Sequence, residues 1–465
     1  MEKHTVAIIG GGPGGYAAAI RFQQYGIDCI VFEKERLGGV CLNWGCIPTK
    51  ALVKIANLFS ELHHVEEFGL SLKNPSFDYA KIYDRKNQIV EKLVSGLEFL
   101  FKKRQIPVFK DTVTSIEKNG DSYLISTENE AVQATHVIIA TGSKPKELPA
   151  LKIDGKHILS SKDILKLQDI PKRLTVVGGG VIGCEFASIF AQLGVEVQIV
   201  EFLPQLISTE DVEISKRLAM ALKKAGIKIH LNTAVEGWKK ANNELILALS
   251  TGKEIVTEKV LLSIGREPVF DIECKKFDID KNKNALSIDN KFETNQRNLF
   301  AIGDITAKMM LAHTASKQGL LTAEIIKNRI EGRDKDIEEL KYENIPRCTF
   351  TNPEIGSVGL TEARAREKYG DILVGKFPFM ANGKALGLGE TFGFVKTIAD
   401  SASKKIVGMH IIGPEATELI AEGGILIQSG MTIDEALKIV FAHPTLSEAI
   451  SESIEDLEKM SINSM

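Results

Sequence analysis

A glycine-rich turn between two apolar runs occurs twice in this 465-residue chain, in one internal register. The first copy reads Thr5-Val-Ala-Ile-Ile9, then Gly10-Gly-Gly12-Pro-Gly-Gly15, an Ala-rich stretch to Gln24, and an apolar run ending at Glu33. The second reads Leu174-Thr-Val-Val177, Gly178-Gly-Gly180-Val-Ile-Gly183, a stretch to Gln192, and a run ending at Glu201. The interval from Gly10 to Gly178 equals that from Glu33 to Glu201. Strand, G-x-G-x-x-G turn, helix and strand make a dinucleotide-binding unit. Gly10 and Gly178 allow the tight turn, Gly12 and Gly180 let backbone approach a pyrophosphate, and Gly15 and Gly183 let helix pack on strand. The pyrophosphate sits at the helix N-terminus, where unpaired N–H groups and partial positive charge face it. The closing carboxylate accepts hydrogen bonds from a ribose diol. A merely structural turn accounts for one copy, but not for two with acids in register.

The expected fold is therefore α/β, with two Rossmann-like dinucleotide-binding domains and a C-terminal α+β domain suited to dimerisation. Domain bounds are expected at 1–142, 143–266, 267–340 and 341–465. Residues Phe59 to Arg104 read as helical, with Ile82, Ile89, Leu93 and Leu97 at helical spacing and His63-His64 on a solvated face. Short strands with a turn at Asn119-Gly120 predict a small antiparallel insertion over 106–140. Val137–Gly142, Leu261–Arg266 and Asn298–Asp304 read as buried strands, the last ending in an acid. Lys plus Arg number 58 against 61 Asp plus Glu, a net charge of −3 that leaves no electrostatic footprint for nucleic acid. No apolar run nears the ~18 residues of a membrane span, and Met1-Glu2-Lys3-His4 leads straight into a strand, so a cytoplasmic location is expected.

Of six cysteines, Cys29, Cys184, Cys274 and Cys348 stand alone and are expected to be inert. Cys41 and Cys46 lie in Gly38-Gly-Val-Cys41-Leu-Asn-Trp44-Gly45-Cys46-Ile-Pro48-Thr-Lys50. Five residues of regular helix rise about 7.5 Å, too far for a disulfide. A bond between them demands distorted backbone, for which Gly45 and Pro48 are suited, and a strained, accessible bond suits redox exchange. Two unpaired thiols or half a zinc site are the other readings, although no matching CxxC or clustered His supports zinc, and no metal is expected. With a thiol pair nearby, FAD is the better expectation for the first site, because a flavin couples hydride to thiol chemistry. Glu201 is followed by Phe202-Leu-Pro-Gln205 without a basic residue, which favours NAD over NADP at the second.

The cysteine segment resembles the redox-disulfide motif of the class I pyridine nucleotide–disulfide oxidoreductases. The resemblance covers nearly the whole chain: both fingerprints, Ala140-Thr-Gly142, Ile264-Gly265-Arg266, Ala301-Ile-Gly-Asp304, Asn352-Pro-Glu354, Ile412–Leu419 and His443-Pro-Thr-Leu-Ser-Glu448. It implies that Cys46 lies against the flavin as the charge-transfer thiolate and that Cys41 meets the dithiol substrate. It also implies that Lys50 sits near the flavin and pairs with Glu185, that Asp304 binds the ribitol chain, and that Gly142 and Gly265 line the cofactor sites. His443 with Glu448 resembles the family's acid–base dyad, supplied by the partner subunit of a homodimer. Thr445-x-x-Glu448 also fits a helix capping box. The implied reaction oxidises dihydrolipoyl groups, carried by lipoyl domains of 2-oxoacid dehydrogenase or glycine cleavage complexes, with NAD as acceptor. Trp44 departs from the family's usual smaller residue.

Overall fold

The computed structural model describes residues 2–242, 244–333, 337 and 339–463. The chain divides into two compact units, Met1–Ala51 with Tyr79–Lys146 and Gly265–Leu340, and Leu52–Asp78 with Glu147–Ile264 and Lys341–Met465.

The first unit is built on an eight-stranded sheet. Strand β1 (Glu2–Ile9), helix α1 (Pro13–Gln24) and strand β2 (Cys29–Phe32) form the first glycine unit, with β1 and β2 parallel. Gly10 adopts φ +111°, and a β-carbon there would strike the carbonyl of Ala140, so only glycine makes this turn. Helices α2 (Gly39–Trp44), α3 (Cys46–Glu61) and α4 (Tyr79–Lys103) follow, then strands β3 (Val108–Phe109), β4 (Ser115–Asn119), β5 (Ser122–Ser126) and β6 (Ala131–Ile139). β4, β5 and β6 form the expected antiparallel insertion, and β6 runs on beside β1, parallel to it. Strand Leu299–Ala301 pairs with the end of β6, Ile302 is buried, and Asp304 follows. Helix Ala312–Ile330 lies on α1, where Gly319 and Gly14 leave no room for a side chain.

The second unit holds the other glycine unit. Its parallel sheet runs Lys228–His230, Glu196–Val200, Arg173–Val177, Lys259–Leu262, Ile158–Leu159, with helix Val181–Gln192 after the turn. Gly178 repeats the geometry of Gly10 at φ +107°. A five-stranded antiparallel sheet occupies much of 347–413, covered by helices Ala416–Gln428 and Glu448–Glu455 around a core that includes Ile411, Ile420 and Ile450.

Two expectations need correction. Residues 62–78 are not helical beyond a short 3-10 turn at Val65–Phe68, because Gly69 and Asn74 take positive φ and Pro75 bars helical continuation. His63 and His64 are thus exposed in a turn rather than on a helix face. The buried stripe of α4 is Ile82, Lys86, Val90, Val94, Leu97 and Phe101, and Leu93 is exposed.

One buried ion cluster fastens the second unit internally. The Lys396 ammonium, 1% exposed, lies 3.0 Å from Asp211, 2.8 Å from Glu213 and 2.7 Å from Glu362. Burial pushes its pKa down, but the carboxylates outweigh that and hold it above the ordinary lysine value. Lys396→Met strands those carboxylates and is expected to cost about 3–5 kcal/mol, read as a lowered midpoint in thermal or urea unfolding.

Candidate active site

Helix α2 begins against the first glycine turn. The Gly38 N–H donates to the Gly11 carbonyl at 2.8 Å, and a β-carbon on Gly39 would come within 2.7 Å of Gly12 Cα. The buried Asn43 amide donates to the carbonyls of Leu37 (3.1 Å) and Gly39 (3.0 Å), fixing the turn into the helix. Helical geometry breaks at Gly45 (φ −140°, ψ −109°), where a β-carbon would press on the Val40 carbonyl at 3.0 Å and Cys41 Cα at 3.4 Å. The missing side chain lets the chain fold back so that Cys46 reaches Cys41. Pro48 lies in the first turn of α3, where its absent N–H costs no intrahelical bond. Both cysteines are partly buried, and Cys41 is hydrogen-bonded to Cys46. That bond pushes the Cys41 thiol pKa up, as do burial and the charge of Cys46, while the Lys50 ammonium opposes them.

Beside the pair stand residues that the sequence reading passed over. Tyr16 of α1 is in electrostatic reach of Cys41 and Cys46 and hydrogen-bonded to Ser316. Arg266 donates to the hydroxyl of Ser143 (2.7 Å) and to its carbonyl (2.6 Å), and that hydroxyl donates to Asp304 at 2.5 Å. Burial lowers the Arg266 pKa, opposed by Asp304 and Cys46. Each of these residues directly follows, or is bonded to one that follows, a glycine that was singled out (Gly15, Gly142, Gly265). A polar side chain next to a functional glycine turn was the available signal.

The two closing acids share one geometry. Glu33 accepts the N–H of Gly11 and of Glu35, both at 2.8 Å. Glu201, buried, accepts the N–H of Gly179 at 2.5 Å and of Leu203 at 2.7 Å. Each carboxylate oxygen keeps a lone pair for a ribose hydroxyl. Neither helix N-terminus is capped by a side chain. A β-carbon at Gly180 would meet nothing within 4 Å, and at Gly12 only Gly39 Cα at 4.0 Å. The orphan N–H groups are thus open to phosphate oxygens, and both turns fit a dinucleotide. Gly15 and Gly183 abut the carbonyls of Gly10 and Gly178 too closely for any side chain. Gly142 and Gly265 both take positive φ, flanking the paired strands Ser143–Pro145 and Arg266–Pro268.

In the second unit, His443 Nδ1 lies 2.8 Å from Glu448 Oε1, and Glu448 Oε2 accepts the Thr445 N–H at 2.8 Å. The capping box does not form, because the Thr445 hydroxyl donates to the Ala442 carbonyl and Ser447 occupies the cap position. Burial raises the Glu448 pKa, but the Thr445 N–H and His443 bring it below the ordinary value. Glu448 is therefore ionised at neutral pH, and its stabilising contribution fades only as pH falls through that lowered value. Glu185, buried, accepts the Phe350 N–H at 3.0 Å.

The remaining cysteines have no such setting. Burial pushes Cys29 up to about 12 and raises Cys184 and Cys274. His410 is buried with Nε2 2.9 Å from the Leu360 carbonyl, and His313 is exposed.

The chain belongs to the pyridine nucleotide-disulphide oxidoreductases: residues 4–319 match the family and 345–454 match its dimerisation domain. It is 40% identical over 457 residues to a dihydrolipoyl dehydrogenase of Bacillus subtilis, covering 97% of this chain and 98% of that one. Identity is 39% over 462 residues to the dihydrolipoyl dehydrogenase of Zymomonas mobilis (98% of each chain). It is 38% over 464 residues to the mitochondrial enzyme of that name from Pisum sativum (97% and 91%). The LpdA crystal structure from Mycobacterium tuberculosis superposes with a TM-score of 0.88 over 98% of this chain and 100% of that one, a likeness of fold at 22% identity.

Ser143→Ala removes the hydroxyl that bridges Arg266 and Asp304, leaving both under-satisfied. A loss of about 1–3 kcal/mol is expected, read by thermal unfolding.

Proposed function

We propose that this chain oxidises dihydrolipoyl groups to lipoyl disulfides and reduces NAD+ to NADH, as a dihydrolipoamide dehydrogenase. The observation that carries this is the Cys41–Cys46 pair, set at a broken helix against the first glycine turn. Near-full-length likeness to dihydrolipoyl dehydrogenases supports it. The first turn holds FAD and the second NAD, and the flavin, when bound, supplies two-electron exchange between nicotinamide and thiols. The balance is dihydrolipoyl plus NAD+ giving lipoyl, NADH and one proton.

Cys41 is the interchange thiol and Cys46 the thiol facing the flavin. The exchange needs a base to take the proton of the dihydrolipoyl thiol, because thiolate rather than thiol attacks the Cys41–Cys46 disulfide. His443 takes that proton, oriented through Nδ1 by Glu448, and acts in the site of the partner subunit of a homodimer. Asp304, held by Ser143, binds the ribitol chain, and Lys50 lies beside the flavin. In this reading 1–142 is the FAD domain, 143–266 the NAD domain, 267–340 completes the flavin site and 341–465 is the interface domain. The enzyme serves lipoyl domains of 2-oxoacid dehydrogenase or glycine cleavage complexes in the cytoplasm. Among the described residues, no helix is long and apolar enough to cross a membrane.

Initial rates of NADH formation from dihydrolipoamide test the reading. Turnover with NAD should far exceed turnover with NADP or with glutathione as thiol. Equal or better rates with NADP and glutathione would replace the assigned substrates. His443→Gln is expected to lower dithiol turnover by about 10²-fold or more while leaving flavin reduction by NADH intact. Equal loss of both would remove the base role. Cys46→Ser should keep FAD but lose the long-wavelength band on reduction, and retention of that band would reassign the flavin-facing sulfur.

A further inference from the structure

The stretch from His443 to Glu448 runs along the surface: His443 and Pro444 are exposed, and Leu446 alone is buried. Such a segment keeps a carboxylate against an imidazole only if other elements fix its backbone. Side chains from two distant parts of the second unit do so. Asn382, 3% exposed, donates from Nδ2 to the Thr445 carbonyl at 3.0 Å. Its Oδ1 accepts the Ala385 N–H at 2.9 Å and so caps helix Gly383–Leu388. Glu422, in helix Ala416–Gln428, accepts the Ser447 hydroxyl at 2.6 Å. Serine at a helix start ordinarily turns its hydroxyl to a first-turn N–H. Ser447 has helical backbone (φ −61°, ψ −24°) and makes no cap bond, so its hydroxyl is given to Glu422 instead. A local preference set aside here is repaid by a fixed start for the helix whose first residue is Glu448. Thr445 is likewise held on both sides, its N–H on Glu448 and its carbonyl on Asn382.

We propose that Asn382 and Glu422 are positioning residues of the His443–Glu448 pair, Asn382 acting through Thr445 and Glu422 through Ser447. Together they fix the backbone ahead of the Glu448 carboxylate. Oε1 then stays 2.8 Å from His443 Nδ1 while Oε2 is occupied by the Thr445 N–H. Without these two holds the segment gains freedom, and the imidazole spends less time aimed for proton transfer. Neither residue takes a proton in this scheme.

The inference rests on the reading of His443 as the base. The test compares two rates in the flavin-loaded protein, NADH formation from dihydrolipoamide and flavin reduction by NADH. Asn382→Asp keeps an acceptor for the Ala385 N–H but loses the donor to Thr445. Glu422→Ala removes the acceptor of the Ser447 hydroxyl, and Glu422→Gln restores one. Asn382→Asp and Glu422→Ala should each lower dithiol turnover about threefold to tenfold without slowing flavin reduction, and Glu422→Gln should recover most of the loss. In a Glu448→Gln background the same two changes should have little further effect, because their route to the imidazole is already gone. If one variant fails to hold flavin, the other decides. Parent-like dithiol turnover, an equal loss of both rates, or full additivity with Glu448→Gln overturns the positioning role alone. Parent-like dithiol turnover in Glu448→Gln itself overturns the base reading, and the positioning role with it.

Discussion

Backbone meets backbone where the cysteine helix starts: Gly38 donates to the Gly11 carbonyl at 2.8 Å, and Gly39 packs on Gly12 with no room for a side chain between them. Four glycines in contact fix where Cys41 stands relative to the turn that receives a pyrophosphate. The thiol pair inherits its position from that contact and its closure from the break at Gly45. A residue with a β-carbon at Gly39 or Gly45 would push the helix off the turn or Cys46 away from Cys41. The site is thus assembled by the absence of side chains, and rigid backbone places groups more accurately than a mobile loop does.

Charge then distributes the tasks. Cys41 is held protonated by its neighbour and by burial, while Lys50 favours its ionisation. Ser143 joins Arg266 to Asp304, so a cation and an anion are kept in register by one small hydroxyl. His443 is largely exposed at 79%, while its carboxylate partner Glu448 is at 29% and pinned by a backbone N–H. An oriented but accessible imidazole suits the proposed role of His443 as a base.

Much of this was legible in the residues. The duplicated glycine units, their acids, the antiparallel insertion and the strand ending at Asp304 all carry local signals, namely periodicity, turn residues and fixed spacing. The closeness of Cys41 and Cys46 was legible as a requirement on the backbone, and Gly45 meets it. The 62–78 segment misled because apolar residues on both sides share a helical spacing, while the positive φ at Gly69 and Asn74 decides the local path. Leu93 keeps the helical spacing but lies off the buried stripe, because several helical faces fit that spacing and only tertiary packing selects one. A polar residue after a glycine turn marks Ser143 and Arg266 singly, but the Arg266–Ser143–Asp304 bridge joins residues far apart in sequence, and no local pattern gives that pairing.

The central claim is that Cys41 and Cys46 close and open a disulfide, and mass mapping of the peptide carrying both tests it directly. The flavin-loaded protein is alkylated as isolated and again after reduction by NADH without oxygen. The account predicts a peptide two hydrogens lighter and untagged in the first state, carrying two tags in the second. Two tags in both states, or none in either, would contradict it.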